Sequence, residues 1–320
     1  MNIGPIQLRS PFFLAPMAGY TNSSMRRMCI EHGASLVYTE MVVAVHLVRS
    51  PKDQRWLLRY DASEHPIIAQ LAAAEPEAAT RATEIVNELG FDGVDLNLGC
   101  SVRRIASREA GMGSGLAADP DRVCEVLTAM VKASRIPVTV KMRSGPDEKS
   151  ETAPALAKLC EDSGVAAVAV HARTVRQAYR GDADPAVIAR VKAAVTIPVI
   201  ASGGIRTAQD AVAMLRATGA DAVMIARGAM GNPWIFQHAS HILATGSAPP
   251  RPALAEVRRV MLRHYELLFQ EKGRFYANLL FRKQTSYYAK LAPRPKQLRQ
   301  AIHKAASDED LTRIIREMLA

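Results

Sequence analysis

The chain has few cysteines and no long apolar segment. Its 320 residues include four cysteines, Cys29, Cys100, Cys124 and Cys160. They lie far apart, with no CxxC pair and no Cys/His cluster at metal-ligand spacing, so the sequence argues against a disulfide framework and a zinc site. The N-terminus has no basic stretch leading into an apolar run, and no apolar run reaches the roughly eighteen residues of a membrane helix. We therefore expect a cytoplasmic protein with no membrane segment and no metal.

The composition is that of a folded, enzyme-sized protein. Hydrophobic residues make up 48% of the chain and charged residues 22%, which provides enough apolar surface for a large core. The length suits one barrel domain followed by a small second domain.

The net charge of +10 is concentrated near the C-terminus. Residues 251–320 contain 15 Lys and Arg against 7 Asp and Glu, so they carry +8 of the total. Basic and aromatic residues are interleaved there in the segments 274–276, 281–283 and 287–290. This pattern suits a polyanion whose phosphates and bases are both contacted. It also fits the solvated face of an ordinary helical domain, and charge alone leaves both interpretations open.

Short apolar segments alternate with amphipathic helical patterns along most of the chain. Eight segments predict strands: Phe13–Met17, Leu36–Met41, Ile67–Leu71, Val94–Leu98, Val138–Met142, Ala167–His171, Val199–Ser202 and Ala222–Ala226. Helical patterns lie between most of them, such as Glu77–Leu89, Asp121–Ala133, Ala153–Ser163 and Ala208–Thr218. This order predicts an α/β fold, a (β/α)8 TIM barrel. An open doubly wound sheet is the alternative, but residues 16–20 lack the dinucleotide fingerprint expected after its first strand.

The pattern changes after the eighth predicted strand. Residues 246–252 are small and proline-rich, as in a linker. Helical patterns follow over Leu254–Lys272 and Phe275–Leu291, and Pro293 and Pro295 separate these from another helix beginning near Gln297. We therefore expect a barrel domain over residues 1–245, a linker over 246–252 and a small all-helical domain over 253–320.

The segment Asp95-Leu96-Asn97-Leu98-Gly99-Cys100 places an amide and a thiol at the end of an apolar strand. Barrel enzymes build their active sites at the C-terminal ends of the strands. Cys100 would lie on the following loop, where a thiol can donate a proton or act as a nucleophile. The alternative is a packing cysteine, since free cysteines are often buried.

Polar residues and glycines end several other predicted strands. They are Gln70, Lys141, Arg143, His171 and Arg173, and, after strands seven and eight, Gly203, Gly204 and Gly228. Each polar side chain could be structural, but polar groups that point into a barrel must be paired or bind a ligand. The loops after strands seven and eight commonly hold a phosphate. The two glycine loops, with Lys141, Gln70 and His171, predict a flat cofactor with a phosphate tail, and flavin mononucleotide (FMN) is the natural candidate.

Motifs along nearly the whole chain resemble those of the tRNA-dihydrouridine synthase family. The matching segments are Leu14–Gly19, Thr39–Val42, Asn97–Cys100, Val140–Arg143, His171–Thr174, Gln177–Tyr179 and Ala226–Trp234. The resemblance implies an FMN-binding barrel followed by a small helical RNA-binding domain. It also implies reduction of particular uridines in tRNA with electrons from NADPH.

The resemblance further implies roles for individual residues. The cofactor would be held by the backbone at Pro16, Met17 and Ala18 and by Gln70, Lys141, His171, Gly203, Gly204, Arg227 and Gly228. Asn97, Arg143 and Tyr179 would contact the uracil. Reduced FMN would give a hydride to uracil C6, Cys100 would be the general acid that protonates C5, and NADPH would reduce the FMN.

The chain departs from the family pattern at a few positions. Ser101 replaces the usual proline after the cysteine, Arg104 a lysine, Asn22 an aspartate and Ser202 an asparagine. Three other functions remain open on the residues alone. One is dihydrouridine synthesis in ribosomal RNA, another is a small-molecule FMN reductase of the same barrel class, and the third is an RNA-binding or chaperone-like protein that keeps flavin as structure. We expect a monomer whose partner is tRNA.

Overall fold

A parallel sheet curls into a barrel in the computed structural model, which describes residues 1–107 and 109–320 with the side chains of residues 51, 53 and 55 left aside. The strands are β1 Asn2–Ile3, β2 Ile6–Gln7, β3 Phe12–Leu14, β4 Val37–Tyr38, β5 Val42–Val43, β6 Ile67–Ala72, β7 Gly93–Leu98, β8 Val138–Arg143, β9 Ala167–His171, β10 Val199–Ser202 and β11 Ala222–Ile225. The α-helices are α1 Ser23–Glu31, α2 Ala44–Arg49, α3 Pro51–Gln54, α4 Pro76–Glu88, α5 Arg103–Ala106, α6 Pro120–Ala133, α7 Ala153–Asp162, α8 Pro185–Ala194, α9 Ala208–Thr218, α10 Ile235–Thr245, α11 Leu254–Tyr288, α12 Pro295–Lys304 and α13 Asp308–Met318.

The barrel runs from β3 through β11 and back to β4. Neighbouring strands pair in parallel in the order β3-β11-β10-β9-β8-β7-β6-β4, with β5 also paired to β6. Two backbone hydrogen bonds join the remaining edges, from Leu14 N–H to Leu36 O at 2.9 Å and from Ser35 N–H to Phe12 O at 3.0 Å. The predicted TIM barrel is confirmed. Its strands are buried almost throughout, as expected where helices cover a parallel barrel.

The second predicted strand, Leu36–Met41, is shortened to β4, and β5 forms just beyond its predicted end. Between them, the hydroxyl of Thr39 accepts a hydrogen bond from the backbone N–H of Gln70 at 3.0 Å, in place of a main-chain carbonyl. The first strand, β3, is also shorter than predicted and stops before Pro16, which has no N–H to give to a ladder. Residues 15–17 and 39–41, which the apolar pattern places in strands, are therefore in loop conformation.

Three helices follow the barrel and share a hydrophobic cluster. Gly273 interrupts α11 with φ 73° and ψ 169°, so the two predicted helices correspond to its two halves. Pro295 begins α12 at a position where a missing N–H costs nothing. Met28 and Trp234 of the barrel are buried in the same cluster as α11, α12 and α13. A helical C-terminal region is confirmed, while the exact division at 246–252 stays a prediction. No helix in the described residues is both long and apolar enough to cross a membrane.

The second half of α11 packs directly against the barrel at Gly231. A Cβ built on Gly231 would lie 2.5 Å from Tyr287 C and 2.5 Å from Tyr288 N, and the residue has a φ of +64°. No larger residue fits between the loop and the helix without displacing backbone. The close approach brings Tyr287 to the barrel mouth.

Gly231→Ala is expected to destabilise the fold by about 1–3 kcal/mol more than Gly246→Ala, because overpacking adds to the backbone strain. Gly246 is the matched control, since its φ is +77° but no described atom lies within 4 Å of the place that a Cβ would take. Urea unfolding of both variants measures the difference. Equal destabilisation by the two substitutions would show that α11 does not depend on close contact at Gly231.

Candidate active site

A cavity of about 440 Å³ opens at the C-terminal ends of the barrel strands. Its wall includes the predicted residues Pro16, Met17, Ala18, Gln70, Asn97, Cys100, Lys141, Arg143, His171, Tyr179, Gly203, Gly204 and Arg227. Gly228 lies outside this lining, where a Cβ would meet Ile205 O and Ile235 Cδ1, each at 2.9 Å. The glycine at this position therefore allows close packing behind the cavity, and its contact with a cofactor remains a prediction.

A chain of buried hydrogen bonds forms the floor of the cavity. Asp95 accepts from Thr139 Oγ1 at 2.7 Å and from Gln70 Nε2 at 2.8 Å. Gln70 Oε1 in turn accepts from Asn97 Nδ2 at 2.9 Å. Asn97 Oδ1 accepts from the backbone N–H of Cys100 at 2.8 Å and from that of Gly99 at 3.0 Å. Asp95 is thus linked to the backbone of Cys100 through two amide side chains.

These hydrogen bonds fix the orientation of the Asn97 and Gln70 side-chain amides. The oxygen of Asn97 must face the two backbone N–H groups, so its nitrogen faces Gln70. Gln70 must then present its oxygen to Asn97 and its nitrogen to Asp95, which has only acceptors to offer when ionised. An exchange of donor for acceptor at Asn97 would therefore require Gln70 to rotate and would change the hydrogen bond that Asp95 receives.

Burial dominates the protonation of the two ionisable groups beside this floor. Burial raises the pKa of Asp95 to about 6, against the opposing effects of Thr139, Gln70 and the Lys141 charge. Burial and the charge of Arg143 lower the pKa of Lys141 to about 8, opposed by Asp95 and Cys100. Both groups are therefore mostly ionised near neutral pH, and Lys141 brings a cation to the cavity wall.

Arg143 holds two loops together at the cavity rim. Its Nε donates to Gly99 O at 2.9 Å, and its Nη1 donates to Thr174 O at 3.1 Å and Ala178 O at 3.0 Å. Arg143 was predicted to contact the uracil, but most of its guanidinium is occupied by hydrogen bonds to the loops that carry Cys100 and Tyr179. The guanidinium carbon also lies 5.7 Å from the centre of the Tyr179 ring.

Tyr179 projects into the mouth from a strained turn. Its side chain is 64% exposed, and the preceding Ala178 has a φ of 53°, which is unusual for a residue other than glycine. Arg227 lies 5.0 Å from the ring centre. Such strain persists only where surrounding contacts hold it, here the hydrogen bond from Arg143 to Ala178 O.

Cations are concentrated near Gly203 and Gly204. Arg173, Arg206 and Arg227 line this side of the cavity. Burial and then the charges of Arg227 and Arg206 lower the pKa of Arg173, against the opposing charge of Asp182. Burial, followed by the charges of Lys141, Arg143, Arg173 and Arg227, lowers the pKa of His171 to about 2, so the imidazole is neutral. Arg173 Nη1 is buried with no hydrogen-bond partner among the described atoms. Such a donor requires an acceptor that a phosphate would supply.

Gly203 packs closely against the His171 ring. A Cβ there would come within 2.7 Å of His171 Cδ2, and the φ of +109° favours glycine. The unpartnered guanidinium and the surplus of cations fit the phosphate end of FMN. Among the described residues, no group of three His, Cys, Asp or Glu side chains is placed to hold a metal ion.

Cys100 is anchored in place by backbone contacts on both sides. Its carbonyl accepts from Ser114 N–H at 2.9 Å, and a Cβ on Gly113 would lie 2.6 Å from that carbonyl oxygen. Ser101 also lines the cavity, whereas Arg104 lies exposed in α5, outside the lining. These bonds position the loop without the proline that the family pattern has. Cys29 and Cys160 are buried, Cys124 is exposed, and none of these three lines the cavity.

Several wall residues were missing from the predicted set of cofactor and substrate ligands. Arg206, Tyr20 and Tyr287 line the cavity, and Ser202 and Arg173 join them. Arg206 follows the Gly203-Gly204 turn by two residues, which was an available signal. No local pattern places Tyr287 there, because it arrives from α11, where its hydroxyl lies 3.3 Å from that of Tyr20.

Comparison with known proteins gives consistent results. The family model described as dihydrouridine synthase (Dus) matches residues 13–319. The chain is 38% identical over 309 residues to tRNA-dihydrouridine synthase B of Xanthomonas axonopodis pv. citri, covering 97% of this chain and 92% of that one. It is 34% identical over 320 residues to tRNA-dihydrouridine synthase B of Pseudomonas aeruginosa, covering 100% and 96%. Histamine dehydrogenase from Rhizobium sp. 4-9 shares the fold, with a TM-score of 0.57 at 13% identity over 83% of this chain and 50% of that one.

Asn97→Asp should lower the free energy of unfolding by about 1–3 kcal/mol. The new carboxylate would face Gln70 Oε1, and both of these buried acceptors would be left without a donor. Adding Asp95→Asn should recover most of this loss. Gln70 can then rotate, donate to the new carboxylate and accept from the new amide, so the polarity of the whole chain is reversed. Urea unfolding of both single variants and the double variant measures the coupling. Simple addition of the two single effects would mean that the floor is not one coupled chain.

Proposed function

The chain belongs to the dihydrouridine synthase family, and we propose that it reduces particular uridines of tRNA to dihydrouridine. One observation carries the proposal: Cys100 lies at the rim of a cation-lined cavity, with its backbone held by Asn97 and Ser114. The reaction adds a hydride to C6 and a proton to C5 of a flipped-out base. Because the substrate is tRNA, we place the enzyme in the cytoplasm.

FMN fits the donor set of this cavity. Gln70, Lys141 and His171 would hold its ring, together with the backbone at Pro16, Met17 and Ala18. Gly203, Gly204, Arg173, Arg206 and Arg227 would hold its phosphate. When bound, FMN supplies the hydride for the uracil, and NADPH supplies the electrons that replace it. His171 remains neutral and can accept or donate a hydrogen bond without a change of charge.

Cys100 acts as the general acid of this mechanism. A protonated thiol can give its proton to C5 of the uracil once negative charge develops on the base. Lys141 and the buried Arg143 guanidinium raise the positive potential at the wall where this charge forms. Asn97 keeps one N–H of its amide free of protein partners among the described residues and can meet the uracil edge while its oxygen holds the Cys100 loop.

The basic C-terminal helices serve to bind the tRNA. They carry +8 of the net charge, and Tyr287 from α11 lines the same cavity as Cys100. Flipping a uridine out of a structured loop costs a few kcal/mol, which remote contacts to the RNA can offset. A small-molecule reductase of the same barrel class would have no use for such a surface beside its active site.

Cys100→Ala is expected to keep its flavin and to oxidise NADPH, yet to form dihydrouridine about 10²–10⁴ times more slowly, because only the proton donor is lost. The measurement is mass spectrometry of digested tRNA after single-turnover incubation, with flavin absorbance recorded in parallel. Cys124→Ala, on an exposed helix position, is the matched control and should behave as wild type. Product formation at the wild-type rate by the Cys100 variant would place the acid elsewhere.

The double charge reversal Arg294→Glu, Lys296→Glu should weaken tRNA binding and flatten its salt dependence by about 1–2 units of log–log slope, because two phosphate contacts are lost. Both side chains are exposed at the start of α12. Lys132→Glu, Arg135→Glu makes the same change at exposed positions before β8, at the opposite end of the barrel. Equal tRNA affinity and equal salt slopes for both double variants would show that the C-terminal helices do not form the tRNA-binding site.

A further inference from the structure

The second half of α11 is apolar on two opposite faces. Ala277, Phe281 and Tyr288 point into the C-terminal hydrophobic cluster. On the outer side, Phe275 is 74% exposed, Tyr276 58% and Leu279 56%. A helix that only covers a core needs one apolar face, so the outer residues are not explained by folding.

The outer residues continue in a line to the active-site cavity. Tyr276, Leu279, Lys283 and Tyr287 follow one another at spacings of three or four residues and therefore share a face of the helix. Tyr287 lines the cavity. Lys283 Nζ lies 3.6 Å from the centre of the Tyr20 ring and donates to Gly19 O at 3.2 Å, at the cavity mouth. We call Phe275, Tyr276, Leu279, Lys283 and Tyr287 the outer stripe; it spans about 16 Å from Tyr276 to Tyr287.

The surroundings of the outer stripe are basic. Residues 272–307 contain nine Lys and Arg and no Asp or Glu. Two of these cations are paired at the edge of the segment, Arg274 with Asp308 at 3.4 Å and Lys272 with Glu271 at 2.8 Å. A second copy of the chain placed symmetrically on this face would bring the same cations together, which disfavours a dimer there. A polyanion with flat, apolar groups matches both the charge and the exposed rings.

We propose that the outer stripe is a stacking surface for the unpaired nucleotides that flank the target uridine in the tRNA. The proposal rests on the function proposed above and adds the path by which the strand reaches the cavity. The rings of Phe275 and Tyr276 already stand edge to face, with centroids 5.3 Å apart and planes at 84°. Unstacked bases of RNA bind to such aromatic side chains regardless of their sequence. Lys283 lies between the rings and the cavity, where the backbone phosphates would pass.

The test is the double variant Phe275→Ala, Tyr276→Ala in the full chain, with two probes: an unmodified tRNA transcript and a fluorescent single-stranded oligouridine. Kd should rise about tenfold for both probes, since stacking is lost. The log–log salt slope should not change, since no cation is removed. At saturating tRNA, kcat should stay within about twofold of wild type while KM rises, because the cavity is intact.

Two further variants separate stacking from general damage. Phe275→Tyr, Tyr276→Phe keeps both rings and should bind like wild type. Phe269→Ala removes a ring that is 39% exposed on the same helix before the break at Gly273, and should also bind like wild type. Flavin content should be the same in all variants.

Unchanged Kd values for the double alanine variant, beside a wild type that binds tRNA and makes dihydrouridine, would overturn the stacking surface and leave the proposed function standing. A dimer in the wild type that the variant loses, with tRNA affinity unchanged, would also overturn it and assign the face to a second copy. A wild type that neither binds tRNA nor forms dihydrouridine would overturn both proposals.

Discussion

Asn97 has a single carbonyl oxygen, and two backbone N–H groups at the turn into the Cys100 loop depend on it. Every other orientation in the cavity floor follows from that requirement, through Gln70 to the buried carboxylate of Asp95. An amide network of this kind has one satisfied arrangement, because reversal of one member leaves a buried donor or acceptor unpaired. The Cys100 loop is therefore held by side chains of the barrel strands as well as by its own backbone contacts.

The four cations above this floor outnumber the carboxylates whose charges reach them, which are Asp95 beside Lys141 and Asp182 beside Arg173. His171 is kept neutral by burial and then by the charges of Lys141, Arg143, Arg173 and Arg227. The buried carboxylate of Asp95 partly offsets the lowered pKa of Lys141. Such an arrangement is costly in an isolated protein and is stabilised by a bound anion. The unpartnered Nη1 of Arg173 identifies the side of the cavity where that anion is most needed. The field that holds a phosphate there also favours negative charge on a bound base near Cys100.

The barrel and most of the cavity wall could be predicted from the sequence, because the information is local. Gln70, Asn97, Lys141 and His171 each lie at or near the end of an apolar strand, and parallel strands bring those ends together. The sequence could also have predicted that Asp95 is hydrogen-bonded, since a carboxylate inside a buried strand must have partners. Tyr287 was not, because its place depends on how α11 docks at Gly231, a contact without a local pattern. Gly228 shows the converse ambiguity, since a glycine that suits a phosphate loop can equally be required by packing.

The most direct test of the account is mass spectrometry of unmodified tRNA after incubation with the purified full-length chain and NADPH. We expect a protein that carries flavin and a tRNA in which defined uridines have gained two hydrogen atoms. A flavin-loaded protein that consumes NADPH with a small unsaturated substrate, while the tRNA keeps its original mass, would contradict it.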